Sequence, residues 1–225
     1  MRFDILTIFP ECYSYFEYSL INKAVLKGLV QIYVHDLRKY GLGKRKNIDD
    51  RPYGGGPGMV FMIEPIYRCL KDIGAYPKKN NNTRIFLMSA KGKLLSQKKL
   101  SSLTKLKRIV LIAPRYEGVD QRVADYLCDA EISIGKYVLS GGELPAMILV
   151  DGVVRLLPGV IGNEKSLHIE SFHNGLHKEY PQYTRPKIFV TDEGNCLSVP
   201  DILLSGDHKE IERWRLSKIS PKSNY

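Results

Sequence analysis

The chain has 225 residues, of which 44% are hydrophobic and 26% charged, the balance of a globular protein with a sizeable core in one large domain or one domain plus a small one. Its longest apolar stretches, residues 109–114 and 147–150, are far too short to cross a bilayer, and Asp4 interrupts any N-terminal signal-peptide pattern. Net charge is +10, and because residues 161–225 hold nine charges of each sign, the whole excess falls on residues 1–160. That distribution favours a polyanionic partner, with nucleic acid ahead of a membrane surface.

Taken in chain order, residues 2–9 read as a buried first strand stopped by Pro10. A helical pattern follows (Phe16, Leu20, Ile21, Ala24, Val25) and closes at Gly28. Residues 30–35 are β-rich, whereas 36–58 are polar, basic and glycine-rich without period, a loop long enough to carry function. Helical and β-rich segments then alternate. Helices are predicted at 63–73, 96–103, 119–128 and 142–153, and strands at 84–88, 108–113 and 131–133. Such alternation predicts an α/β fold with a mostly parallel sheet covered on both faces. Residues 161–177 lose periodicity and read as a linker. A short helix over 200–204 and a last helix opened by the capping-box pair Asp207 and Glu210, carrying Ile211, Trp214 and Ile219, complete the chain. Cys12, Cys69, Cys128 and Cys196 lie far apart, which reads as reduced thiols in a cytosolic protein.

Three strings carry chemistry. Asp50-Arg-Pro-Tyr-Gly-Gly-Gly-Pro-Gly-Met59 exposes backbone N–H groups and lets a ligand approach closely, but lacks the Gly-Lys-Ser/Thr of a P-loop; a mobile loop is the alternative. Ala113-Pro-Arg-Tyr-Glu-Gly-Val-Asp120 follows an apolar run, at the strand end where α/β folds place ligands, although Arg115 and Glu117 are equally read as a surface ion pair. Ser133-Ile-Gly-Lys-Tyr-Val-Leu-Ser-Gly-Gly-Glu-Leu-Pro145 could hold a small polar ligand or be a plain strand–turn–helix connection. There is no Gly-x-Ser-x-Gly elbow and no His-Glu-x-x-His, and His173 with His177 lacks a third ligand, so no metal site is predicted.

Together these strings resemble the bacterial tRNA (guanine-N1)-methyltransferases. The likeness continues through Leu157-Pro-Gly-Val160, Tyr183-Thr-Arg-Pro186 and residues 203–215, from the first strand to the last helix. It implies an S-adenosylmethionine-dependent enzyme of the SPOUT class. The expected organisation is a knotted methyltransferase domain over 1–160, whose C-terminal part forms a trefoil knot, a flexible linker over 161–177, and a small helical tRNA-binding domain over 178–225. It also implies a cytoplasmic homodimer with active sites shared between subunits. The substrate would be the guanosine immediately 3′ to the anticodon of tRNA, preceded by another guanosine, and its methylation at N1 would maintain the reading frame.

Carried over by position, the cofactor-binding residues are Leu87, Met88, Ser89, Ala90, Pro114, Tyr116, Glu117, Ile134, Gly135, Tyr137, Leu139, Gly141, Gly142 and Pro145. Those for tRNA are Arg51, Tyr53, Gly58, Glu179, Arg185, His208, Arg213 and Arg215. Guanine N1 is a poor nucleophile until its proton leaves, so a base is needed there, and a guanidinium can stabilise the charge that spreads to O6. The resemblance assigns these roles to Glu170 and Arg155, with magnesium as an assistant. The chain departs from the family in four places: Glu170 stands for an Asp, Glu179 for a second linker Asp, Pro114 for a Gly and Lys136 for an acidic residue. It also ends soon after the last helix, so a C-terminal domain smaller than in many members is expected. Two other readings remain: a non-catalytic tRNA-binding protein, and a knotted enzyme acting on another base, for example in rRNA.

Overall fold

The computed structural model describes residues 1–78, 80–162 and 179–218. The chain forms two compact units, 1–162 and 163–225.

The first unit is built on five parallel strands: β1 (Arg2–Thr7), β2 (Gln31–Asp36), β5 (Thr83–Leu94), β6 (Arg108–Ile112) and β7 (Ala130–Ser133). They lie in the order β2-β1-β6-β5-β7, with β6 central between β1 and β5. Alternate residues of each inner strand feed two separate cores. Phe3, Ile5, Phe86, Met88, Ile109 and Leu111 point to one face, and Leu6, Ile85, Leu87, Val110 and Ile112 to the other. Helices α1 (Ser19–Leu26), α3 (Gln97–Leu103) and α4 (Glu143–Val154) cover the first face, and α2 (Ile63–Asp72) the second. Each fully buried Ile, Leu or Phe contributes on the order of 2 kcal/mol, so covering both faces explains the consecutive apolar residues at Ile5–Leu6, Ile85–Met88 and Ile109–Ile112.

Differences from the sequence expectations have local causes. Pro10 does stop the first strand, but Pro10–Glu17 winds as a 3-10 helix ahead of α1. The loop 36–58 holds a 3-10 turn, Leu37–Tyr40, whose start is capped by the Asp36 carboxylate accepting from the Arg38 N–H. A two-residue ladder pairs β3 (Asp49–Asp50) with β4 (Val60–Phe61) across the glycine string. Of the predicted 119–128 helix only residues 121–127 are helical, with π geometry over Val123–Leu127, because Val119 is held beside Phe61 and the Asp120 carboxylate accepts from the Arg122 N–H. Strand β5 runs to Leu94 rather than Met88. Met88 and Lys93 both pair with Ile132, so residues 89–92 form a bulge between two anchored stretches.

In the second unit, β8 (Ile188–Val190) and β9 (Cys196–Ser198) form an antiparallel hairpin, so this unit is not purely helical. The 3-10 turn Asp201–Leu204 leads to α5 (His208–Lys218), whose Asp207 carboxylate accepts from the N–H groups of Lys209 and Glu210. Ile219 lies outside the described residues.

Asp4 is fully buried on β1, within hydrogen-bond distance of His35, Arg2 and Arg108 at 2.7–2.8 Å. Burial alone would raise its pKa, but the hydrogen bonds from His35, Arg2 and Arg108 outweigh it and hold the carboxyl well below the usual range. A depressed folded-state pKa stabilises the fold above the unfolded value, about 3.9, and that contribution is lost as pH falls toward the folded value. Asp4→Asn is therefore expected to cost about 3 kcal/mol at neutral pH and to flatten the stability profile between about pH 5 and 2, read by urea denaturation at several pH values. An unchanged acid limb would assign the acid sensitivity elsewhere.

Candidate active site

The bulged middle of β5 and the carboxyl ends of β6 and β7 open into one cleft of about 260 Å3 in the first unit. Its walls come from three loops. One is the bulge after Met88, the second is residues 114–119 after β6, and the third is residues 134–142 between β7 and α4. Leu87, Met88, Ser89, Ala90, Pro114, Tyr116, Glu117, Ile134, Gly135, Tyr137, Leu139, Gly141, Gly142 and Pro145 all line it.

Close approach of the second and third loops dictates the glycines. The Gly142 N–H donates to the Pro114 carbonyl at 2.7 Å, and a Cβ on Gly142 would lie 2.7 Å from the Ala113 Cα. Pro114 is itself buried there, whereas Lys136 is exposed on the third loop. A Cβ on Gly141 would meet the Glu143 carboxylate at 2.4 Å and Arg115 Nε at 2.8 Å. Tyr116 adopts φ +58°, a left-handed conformation that a bulky residue keeps only where surroundings enforce it. Here its ring packs edge-on against Phe61 at 5.8 Å, and the next two residues are tied to the start of β4. The Glu117 N–H donates to the Met59 carbonyl, and the Gly118 carbonyl accepts from the Phe61 N–H.

Beneath the loops sits a buried carboxylate that the sequence did not single out. Glu143, at the first turn of α4, is 3% exposed and accepts from Thr7 Oγ1 and from Arg115 Nε, both at 3.1 Å. Arg115 pairs with Glu143, then, and not with Glu117. Its guanidinium also stacks on the Phe9 ring at 4.5 Å. Burial first, and the Glu143 charge second, keep the nearby Tyr13 phenol protonated far above its ordinary range.

Of the residues assigned to tRNA, Arg51, Tyr53 and Gly58 sit in the glycine-rich loop beside this cleft. Tyr53 is wholly exposed, and a Cβ on Gly58 would fall 2.5 Å from Glu117 Cγ, so this loop rests directly on the cleft wall. Glu179, Arg185, His208, Arg213 and Arg215 belong to the second unit. Within it Arg213 pairs with Glu210, and Arg215 lies over the Tyr180 ring at 4.9 Å. Tyr183 faces Trp214 at 6.2 Å, which joins the Tyr183–Pro186 string to α5. Arg155 caps the C-terminal end of α4, its N–H donating to the Asp151 carbonyl. Glu170, His173 and His177 lie outside the described residues. Among the described residues no three His, Cys, Asp or Glu side chains gather in a way that could hold a metal ion.

The family model described as tRNA (Guanine-1)-methyltransferase TrmD matches residues 1–224. The chain belongs to this family. It is 46% identical over 225 residues to the tRNA (guanine-N(1)-)-methyltransferase of Buchnera aphidicola subsp. Baizongia pistaciae, covering 99% of this chain and 87% of that protein. It is 48% identical over 224 residues to the protein of the same name from Dictyoglomus turgidum, with 99% and 86% covered. To that of Rhodopirellula baltica it is 47% identical over 218 residues, with 96% and 87% covered.

Proposed function

We propose that this chain transfers a methyl group from S-adenosylmethionine to N1 of the guanosine immediately 3′ to the anticodon of tRNA, which maintains the reading frame. The observation that carries the reading is the convergence of residues 87–90, 114–117 and 134–145 on one cleft, in a chain that belongs to the family. The cleft suits the cofactor. Its glycines leave backbone amides and carbonyls open to a polar ligand, and Leu87, Ile132, Ile134 and Pro145 supply apolar walls for an adenosine. S-adenosylmethionine brings a methyl group already activated on a sulfonium. The residues that would hold it are the fourteen cleft residues given above.

The protein's own contribution is then proton handling and orientation. Glu170, the family's base position with one methylene added, accepts the N1 proton, and Arg155 stabilises the charge that develops on O6. Arg51, Tyr53 and Gly58 beside the cleft, with Glu179, Arg185, His208, Arg213 and Arg215 of the 178–225 domain, engage the tRNA. Magnesium, the assistant that the resemblance implies, would help the N1 proton leave; among the described residues no three His, Cys, Asp or Glu side chains gather to hold it.

The family's trefoil knot falls in the chain between β6 and α4, a placement supported by the direct contact of Gly142 with Ala113 and Pro114. The active unit is a homodimer. Supporting this, Tyr15, Tyr18, Leu144 and Ile148 expose apolar surface around one groove beside α4. No helix among the described residues is long and apolar enough to cross a membrane, and the substrate places the enzyme in the cytoplasm. The test is methyl transfer from tritiated S-adenosylmethionine to tRNA carrying guanosine 3′ to the anticodon. Incorporation is expected, and it should vanish when that guanosine is replaced by adenosine. Incorporation that survives the replacement would point to another base.

A further inference from the structure

A second cavity, of about 350 Å3, adjoins the cleft and is lined by Ile8, Arg38, Arg45, Lys46, Asn47, Ile48, Asp49 and Tyr116. Tyr116 is the shared wall, since it lines both. Three cations surround this cavity against one carboxylate, Asp49. None of the three forms an ion pair with a carboxylate among the described residues, unlike Arg2, Arg108, Arg115 and Arg122, which all do.

These cations are also presented in an ordered way. Arg38 donates to the Ile8 carbonyl, and its guanidinium lies 5.0 Å from the centre of the Phe9 ring, which Arg115 also approaches to 4.5 Å. Arg45 and Lys46 sit on a tight turn closed by reciprocal hydrogen bonds between Leu42 and Asn47, at 2.7 and 2.9 Å. A Cβ on Gly41 would strike the Lys46 carbonyl at 2.1 Å, and Lys46 itself takes φ +52°. An exposed Gly-Lys-Arg-Lys turn with a fixed base is poorly explained by solubility alone, because three cations placed around one cavity repel one another unless an anion joins them.

We infer that Arg38, Arg45 and Lys46 form a phosphate subsite that grips the backbone of the RNA whose target base enters the adjoining cleft. The inference rests on the functional reading above and adds a site that reading does not assign. Its chemistry is that of a phosphodiester. A guanidinium already oriented by a carbonyl and an aromatic ring offers its remaining N–H groups to one oxygen pair, and the two turn cations neutralise adjoining charge. With Tyr116 between the two cavities, a nucleotide placed in the cleft has its neighbouring phosphates within reach of this turn.

The test is an Arg45→Gln, Lys46→Gln double variant of the full chain, titrated with tRNA over a range of salt concentrations, with S-adenosylmethionine affinity measured in parallel. Removing two phosphate contacts should make the slope of log K against log salt shallower by about 1.4, and at about 0.1 M salt this corresponds to roughly twenty-fold weaker tRNA binding. Cofactor affinity should not change, and Arg45→Lys with Lys46→Arg should restore the slope. An unchanged slope in the double variant overturns the inference. So does saturable binding of inorganic phosphate that the double variant loses while its tRNA slope stays the same, because the cavity would then serve a free anion. A wild-type chain that binds cofactor but no tRNA would instead remove the functional reading on which the inference stands, and this is read independently of the variant.

Discussion

Glu170→Gln is expected to lower kcat by about 10^3, the size of a lost general base, while S-adenosylmethionine affinity stays within about twofold. The amide keeps the length and the hydrogen-bonding shape of the side chain but cannot take the N1 proton. The described residues of the proposed cofactor cleft, 87–91, 114–119, 131–135, 137–142 and 145 among them, are all unchanged by this substitution. The pattern to look for is a fall in kcat with cofactor binding intact, measured by single-turnover methyl transfer and by calorimetry. Glu170→Asp, which restores the family's residue, should retain activity. Equal turnover in Glu170→Gln and the unaltered chain would remove Glu170 from the chemistry and direct attention to Glu179.

Glu143→Ala should damage both stability and cofactor binding. It leaves Arg115, only 28% exposed at its side chain, without the carboxylate it faces at 3.1 Å, and it frees Thr7 Oγ1 as well. Breaking a buried pair in this way costs about 3 kcal/mol, or roughly 8 °C in melting temperature for a domain of this size. The effect on the cleft follows from position. Gly141 lies directly on the Arg115–Glu143 pair, so the pair fixes how the second and third loops meet. Cofactor affinity should drop about tenfold or more even at temperatures where the variant is fully folded. Scanning calorimetry combined with cofactor titration separates the two effects. A lower melting point with unaltered affinity would make Glu143 a purely structural residue.

The sheet was largely legible in the sequence, because parallel strands buried on both faces are mostly apolar, even where β1 also buries Asp4 and Thr7. The runs 2–7 and 108–112 therefore could hardly have been anything else. What escaped was set by tertiary contacts. The extension of β5 through Ala90-Lys-Gly-Lys93 has no apolar pattern, and it pairs only because Gly92 fits against the backbone of Glu131 and Ile132. Arg115 has an acidic neighbour in Glu117, but its partner lies 28 residues further on. The β8–β9 hairpin did carry a signal, since a β-rich Ile188-Phe-Val190 leads into Asp192-Glu-Gly-Asn195. Its strand residues are exposed, so burial could not single them out. The three cleft strings were visible as unusual composition, yet their meeting in one cavity depends on a strand order, β6-β5-β7, that no local pattern encodes.

The double engagement of Ile132 by Met88 and Lys93 has a consequence for how this cleft can diverge. Residues 89–92 hang like a hinge-pinned awning, fastened at both ends to the same neighbouring strand, so their length and chemistry can vary without re-registering the sheet. The rim over the ligand can thus be recut by insertion or substitution while the strands below keep their places. Only Gly92, pressed against the backbone beneath it, must stay small.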